Sequence, residues 1–187
     1  MQQKDRKEKA KTSQKGSSMS KEKTRFVAIL MGSDSDLPVV EAGIKVLQSL
    51  EVPIEVKITS AHRTPDATQQ YVKDAEARGC AVFIAAAGMS AHLAGAVAAQ
   101  TLKPVIGIPI DAGPLQGHDA LLSTVQMPGG IPVASVAIGK AGAKNAGYLA
   151  AQILAISDES LAVRLKADRQ ASAEAVMAKD AALQDKY

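Results

Sequence analysis

The segment RFVAILMGSDSDLPVV, residues 25–40, decides the fold of this chain. Six consecutive apolar residues, 26–31, are followed by a polar loop and then by a proline near the start of a helical pattern. An apolar run without alternation is typical of a parallel strand that helices cover on both faces. Because the chain then passes through a short loop into a helix, the segment predicts the first half of a β-α-β unit.

The same pattern repeats outward along the chain. Short apolar runs alternate with longer helical patterns, which indicates repeated β-α-β units around a parallel sheet. The predicted strands, each expected to be covered on both faces, are 25–31, 54–59, 81–87, 104–110 and 131–138. The predicted helices are 37–50, 65–78, 91–101, 119–127, 142–156 and an additional C-terminal one, 158–183. The expected fold class is α/β, a three-layer α/β/α sandwich with a central parallel sheet.

Two helix starts carry a clear local signal. Asp36 precedes Leu37-Pro38 and Thr64 precedes Pro65-Asp66. An oxygen-bearing side chain before a proline is typical of a capped first turn, where proline lacks only an amide that has no partner in the helix. We therefore expect Asp36 and Thr64 to cap the helices that follow two of the strands.

Composition and charge divide the chain into two parts. A length of 187 residues fits one domain, and 47% hydrophobic but only 3% aromatic residues predict a core of small aliphatic side chains. Residues 1–22 hold seven Lys or Arg against three acids, a net of +4 that leaves about −1 for the remainder. We expect residues 1–22 to be a disordered polar leader, with nucleic-acid binding as the alternative, and 23–187 to be a single α/β domain.

The leader also lacks the apolar stretch of a signal peptide or membrane anchor. The single cysteine, Cys80, lies in the apolar segment GCAVFIAAAG and has no second cysteine with which to form an intramolecular disulfide. We therefore expect a cytoplasmic protein that does not bind membranes, with Cys80 as an inert thiol of the core.

Polar residues gather where the predicted strands end, which is the edge at which open parallel sheets bind ligands. The first such loop, 31–36, carries Ser33 and Asp36 immediately before a helix. Hydroxyls, carboxylates and helix N-terminal amides suit phosphate and ribose groups. An ordinary capping turn explains the same residues equally well.

Two further loops carry histidines. In SAHRTPD, 60–66, His62 stands beside Arg63, and an imidazole exchanges protons near neutral pH while a guanidinium holds phosphate. In AGMSAHLAG, 87–95, Gly88 permits close approach of the backbone to a ligand and His92 is a possible contact. A purely structural role stays open for both histidines, and His118 is expected to be an ordinary loop residue.

Other kinds of site lack support in the sequence. The three histidines are widely separated along the chain, and neither GxxxxGK[ST] nor GxGxxG occurs. Metal, ATP and NAD sites are therefore not predicted. The segment VQMPGGIPV, 125–133, is expected from its prolines and glycines to serve the architecture.

Five segments taken together nevertheless resemble the 5-(carboxyamino)imidazole ribonucleotide mutase family, also known as the phosphoribosylaminoimidazole carboxylase catalytic subunit. They are MGSDSD, SAHRTPD, AHLAG, VQMPGGIPVA and AIGKAGAKNAGYLAAQIL, and the similarity covers about residues 25–165. The resemblance implies a flavodoxin-like fold, a homo-octamer with active sites at subunit contacts, and a small-molecule ribonucleotide substrate. It implies no cofactor, whether metal or organic. Neither nucleic acid nor a membrane is expected as a partner.

The resemblance also implies roles for individual residues. His62 would be the general acid and base, and His92 would lie near the transferred carboxylate. The remaining substrate-binding residues would be Ser33 and Asp36 for the nucleotide, Arg63 for its phosphate, and Ser60, Ala61 and Gly88 for the pocket wall. In the implied reaction, a proton delivered to the carbamate nitrogen releases carbon dioxide, C4 of the aminoimidazole recaptures it, and His62 removes the C4 proton.

One loop departs from the family pattern. Where the family often has Gly-Gly-Ala-Ala-His-Leu-Pro-Gly, residues 88–95 read Gly-Met-Ser-Ala-His-Leu-Ala-Gly, so Ala94 replaces a proline. This loosens the expected loop geometry and leaves direct carboxylation of aminoimidazole ribonucleotide as an alternative. A carboxylase of another heteroaromatic nucleotide and a non-enzymatic nucleotide-binding protein are further alternatives. The C-terminal segment 161–183 is expected to be amphipathic and to need a partner surface, in keeping with an oligomer.

Overall fold

The computed structural model of the protein describes residues 24–187, so the predicted leader lies outside the described residues. Five strands form one parallel sheet in the order β2-β1-β3-β4-β5. They are β1 Phe26–Met31, β2 Ile54–Ile58, β3 Cys80–Gly88, β4 Val105–Ile110 and β5 Ala134–Ser135. The order places the first strand inside the sheet, with β2 on one side and β3, β4 and β5 on the other.

Six α-helices are described, and a short 3-10 helix, Asp34–Asp36, precedes the first of them. They are α1 Leu37–Ser49, α2 Pro65–Arg78, α3 Leu93–Ala98, α4 His118–Val125, α5 Gly139–Ala155 and α6 Glu159–Gln184. The predicted three-layer α/β/α fold, with its additional C-terminal helix, is confirmed. In the described part of the chain no helix has both the length and the apolar character needed to cross a lipid bilayer.

Strand β1 shows why its apolar run has no alternation. Val27, Ile29 and Met31 belong to a core cluster shared with α1, α5 and the start of α6. The intervening residues of β1 belong to a second cluster, shared with α2 and α3. Successive side chains of a strand point to opposite faces, so a strand between two helical layers needs apolar residues at every position.

Helices α1 and α5 pack with their backbones nearly in contact. A Cβ added at Gly43 of α1 would lie 2.4 Å from the carbonyl oxygen of Ala143 in α5, and one at Gly147 would lie 2.8 Å from the carbonyl oxygen of Gly43. Only glycine fits at such distances. The small residues of α5 therefore form part of the core of the chain itself.

The thiol of Cys80 is buried, as the sequence predicts, at the start of β3. Burial raises its pKa to about 11, because the low-dielectric interior disfavours the thiolate. The thiolate is the reactive form, so Cys80 is chemically inert at neutral pH.

Several element predictions need correction. β5 is limited to Ala134–Ser135 rather than 131–138, and α5 begins at Gly139 rather than at residue 142. Pro132 lacks the amide that a strand needs for pairing. Helix α3 covers Leu93–Ala98 rather than 91–101.

The expected coverage of β2 is also wrong. It is an edge strand whose Val56 and Ile58 side chains are 45% and 55% exposed. In α6, Leu161 is buried whereas Val163, two residues later and so on the other side of the helix, is 64% exposed. These two apolar residues of the C-terminal helix therefore lie on different faces.

Candidate active site

A cavity of about 360 Å³ opens at the carboxyl ends of β1, β2 and β3. β1 lies between the other two strands: the chain runs from β1 to β2 on one side and then crosses from β2 to β3 on the other. A crevice at such a change of direction is where open α/β sheets bind ligands. All eight residues that the sequence and the resemblance single out line this cavity, namely Ser33, Asp36, Ser60, Ala61, His62, Arg63, Gly88 and His92.

Two imidazoles meet in the cavity. His62 Nε2 lies 2.8 Å from His92 Nδ1, and the two rings are nearly perpendicular with centroids 4.9 Å apart. One nitrogen of the pair donates the hydrogen bond and the other accepts it, according to the tautomers of the two rings. The separation of these histidines along the chain is thus misleading, because β2 and β3 carry them to the same place. His118 lies elsewhere, where its Nδ1 hydrogen-bonds the carbonyl oxygen of Leu115 at 3.0 Å.

The loop after β1 is held by its own side chains. The Ser33 hydroxyl oxygen accepts a hydrogen bond from the amide of Ser35 at 3.2 Å, and the Asp36 carboxylate accepts one from the amide of Ser33 at 3.2 Å. The Asp36 side chain therefore turns back to the loop. It does not cap α1, so the prediction from the sequence is wrong. Burial raises the pKa of Asp36, and the hydrogen bond from Ser33 opposes part of that effect.

Arg63 connects the loops after β1 and β2. Its Nη2 donates to the carbonyl oxygen of Gly32 at 3.1 Å, and its backbone amide donates to the Ser60 hydroxyl at 3.1 Å. Thr64 accepts a hydrogen bond from the Ser60 amide at 3.0 Å and does not cap α2, so that prediction is also wrong. These contacts hold a guanidinium at the cavity, where it can bind an anionic group.

The loop after β3 forms the remaining wall. A Cβ at Gly88 would lie 2.8 Å from the Cβ of Ala112, so this position must be glycine. Met89 and Ala112 also line the cavity, although the sequence patterns assign a role to neither. The sequence did mark Met89 as unusual, since it stands where the family often has glycine. Ala112 had none, because only the pairing of β3 with β4 brings it to the site.

The segment VQMPGGIPV contributes no lining residue to this cavity. Gly130, Ile131 and Pro132 instead line a separate cavity of about 710 Å³ near the start of β4. Within residues 24–187, no group of three His, Cys, Asp or Glu side chains is placed to hold a metal ion. The site therefore offers a guanidinium, hydroxyls, a buried carboxylate and a pair of imidazoles.

Comparison with known proteins agrees with this geometry. The profile of the family described as AIR carboxylase matches residues 26–175. The N5-carboxyaminoimidazole ribonucleotide mutase of Bacillus subtilis is 52% identical over 81% of this chain and 94% of its own. The mutase of the same name from Escherichia coli is 50% identical over 81% of this chain and 89% of its own.

Among solved structures, Treponema denticola PurE superposes with a TM-score of 0.77 and 31% identity, over 85% of this chain and 98% of its own. The family match spans most of the chain and includes every loop that lines the cavity. The chain therefore belongs to the AIR carboxylase family.

Proposed function

We propose that the protein is an isomerase of de novo purine biosynthesis that converts N5-carboxyaminoimidazole ribonucleotide to 4-carboxy-5-aminoimidazole ribonucleotide. The observation that carries the proposal is the imidazole pair, with His62 Nε2 2.8 Å from His92 Nδ1 inside the cavity. Relatives with the mutase name, 50–52% identical over most of this chain, support the same reaction.

His62 is the general acid and base of this mechanism. In the first step His62 gives a proton to the carbamate nitrogen, the N–C bond breaks, and its electron pair stays on that nitrogen. Carbon dioxide is released into the cavity. In the second step the electrons of C4 form the new C–C bond, and the C4 proton returns to His62. One imidazole serves as acid in the first step and as base in the second, and no redox change is needed.

His92 has two functions in the proposal. Its Nδ1 orients the His62 ring through the 2.8 Å hydrogen bond, and its ring lies beside the transferred carboxylate. The hydrogen bond also gives His62 a partner in either protonation state, because an imidazole nitrogen is a donor when protonated and an acceptor when not.

The other lining residues bind the ribonucleotide. Arg63 contacts the phosphate, and Ser33 and Asp36 bind the ribose and phosphate end of the substrate. The loops that carry them are fixed by the Arg63 to Gly32 and Ser33 to Asp36 hydrogen bonds described above. Such prior ordering lowers the entropic cost of positioning the substrate. Ser60, Ala61 and Gly88 shape the wall.

The reaction is identified by which of two substrates the protein converts to product. Purified protein is supplied either with N5-carboxyaminoimidazole ribonucleotide while free carbon dioxide is scavenged, or with aminoimidazole ribonucleotide and bicarbonate. We expect product from the first substrate alone. Product formation that requires bicarbonate would instead identify a direct carboxylase, and binding without turnover in both arms would identify a nucleotide-binding protein.

We also propose that the protein acts in the cytoplasm as a homo-octamer. Exposed apolar side chains on the edge strand, Val56 and Ile58, support association because water contact with them is unfavourable. Multi-angle light scattering is expected to give the mass of eight chains, and a monomer would contradict the proposal.

A further inference from the structure

Met89 has a backbone conformation that side chains disfavour. Its φ is 54°, in the left-handed region, where a Cβ clashes with the backbone and glycine is at ease. Its side chain is 56% exposed, so it adds little to the core. Strain that the core does not require is characteristic of functional positions, and Met89 lines the proposed active site.

The Met89 side chain lies against the loop that follows β4. A Cβ added at Gly113 would be 3.3 Å from Met89 Cγ, so the methionine lies almost directly on the Gly113 backbone. Gly113 itself has a φ of 73°, a second reason for glycine there. Next to this contact, Gly88 approaches Ala112 too closely to admit a side chain. Met89 therefore connects the loops after β3 and β4 in the wall of the cavity that also holds the imidazole pair.

We propose that Met89 is a positioning residue that retains carbon dioxide in the cavity between the two steps of the reaction. This inference rests on the proposed function. Carbon dioxide is small and uncharged, so neither Arg63 nor the histidines can hold it by charge. Retention then depends on walls without gaps, and a flexible thioether fills an irregular seam well. Confinement keeps recapture a local event instead of a bimolecular one.

Escape of the intermediate has a distinct chemical signature. If carbon dioxide leaves, the carbamate has taken up one proton and has become aminoimidazole ribonucleotide, and the C4–C bond never forms. The ratio of aminoimidazole ribonucleotide to carboxylated product therefore measures leakage. Entry of labelled carbon from ¹³C-bicarbonate into the product measures the reverse passage. A purely structural role of Met89 would change neither quantity per turnover.

The test compares Met89→Gly with the wild-type protein. Glycine adopts the observed φ freely, so the variant removes the side chain without adding backbone strain. Met177→Ala is the matched control, because Met177 is similarly exposed, at 60%, but lies on α6. With N5-carboxyaminoimidazole ribonucleotide as substrate, we expect leakage and label entry to rise at least about threefold in Met89→Gly and not in the control.

The outcomes separate this inference from the proposed function. Turnover by the wild-type protein with an unchanged leakage ratio in Met89→Gly refutes the role of Met89 alone, even if the overall rate falls. Absence of turnover by the folded wild-type protein refutes the proposed function, and this inference with it. Met89→Ala, which keeps the Cβ and shortens the side chain, decides the matter if thermal unfolding shows that the glycine variant is unstable.

Discussion

Removal of the partner of His62 should slow the reaction by an amount that follows from one distance. His92 Nδ1 lies 2.8 Å from His62 Nε2, which is a full-strength hydrogen bond. His62 is charged in one half of the proposed cycle, and a hydrogen bond to a charged group contributes about 1.5–3 kcal/mol. Each 1.4 kcal/mol of barrier is about tenfold in rate, so His92→Ala should lower kcat about 10- to 100-fold. His62→Asn removes the acid and base itself and should cost about 10²- to 10⁴-fold.

The double variant tests whether the two histidines act together. If His92 acts through His62, its contribution disappears once His62 is replaced, so the double variant should be as slow as His62→Asn alone. Steady-state formation of 4-carboxy-5-aminoimidazole ribonucleotide gives kcat for each protein. His118→Ala is the control, because the third histidine lies outside the cavity. Losses that multiply in the double variant would show that His92 acts at the carboxylate and not through His62, and wild-type activity in His62→Asn would refute the role of His62.

Three further predictions concern the scaffold. Gly43→Ala places a Cβ 2.4 Å from the Ala143 carbonyl oxygen and should lower the free energy of unfolding by about 1–3 kcal/mol in urea titrations, whereas Gly129→Ala, with no atom within 4 Å, should change it little. Burial raises the pKa of Asp36 above its ordinary 3.8, so its contribution to stability is present below that value and is lost as pH rises through the folded-state pKa. Asp36→Asn should therefore gain stability relative to wild type across that pH range, and a constant difference would contradict this. Cys80, with a pKa of about 11, should react with a chromogenic disulfide reagent at neutral pH only after unfolding, and rapid reaction of the native protein would be inconsistent with its burial.

Much of the fold was predictable because the strand and helix signals are local. The apolar run of β1 and the proline at the start of α2 each specify an element without reference to the rest of the chain. The exposure of β2 was not predictable in this way. Whether a strand lies inside a sheet or at its edge depends on strand order, which neighbouring residues do not encode. The sequence IEVKI of β2 does alternate, but alternation would bury its apolar residues, whereas Val56 and Ile58 are exposed.

The candidate site was predictable as a set of residues but not as an arrangement. Every lining residue expected from the loops reaches the cavity, since the carboxyl ends of parallel strands share one edge. The contact between His62 and His92 depends on β1 lying between β2 and β3, which the loop sequences do not reveal. The prediction that Asp36 and Thr64 cap the following helices is wrong for a related reason. Their oxygens bind loop amides that the helix-start pattern does not include.

The position of β1 between β2 and β3 has a consequence for how the chain folds. His62 follows β2 and His92 follows β3, and these strands lie on opposite sides of β1. The imidazoles therefore meet only after both neighbours have paired with β1. In a partly folded chain with only one of these pairings, at most one of the two imidazoles is in its place at the cavity. A ligand that binds only the finished site stabilises it by mass action. Substrate in the surrounding solution thus favours completely assembled molecules over folding intermediates.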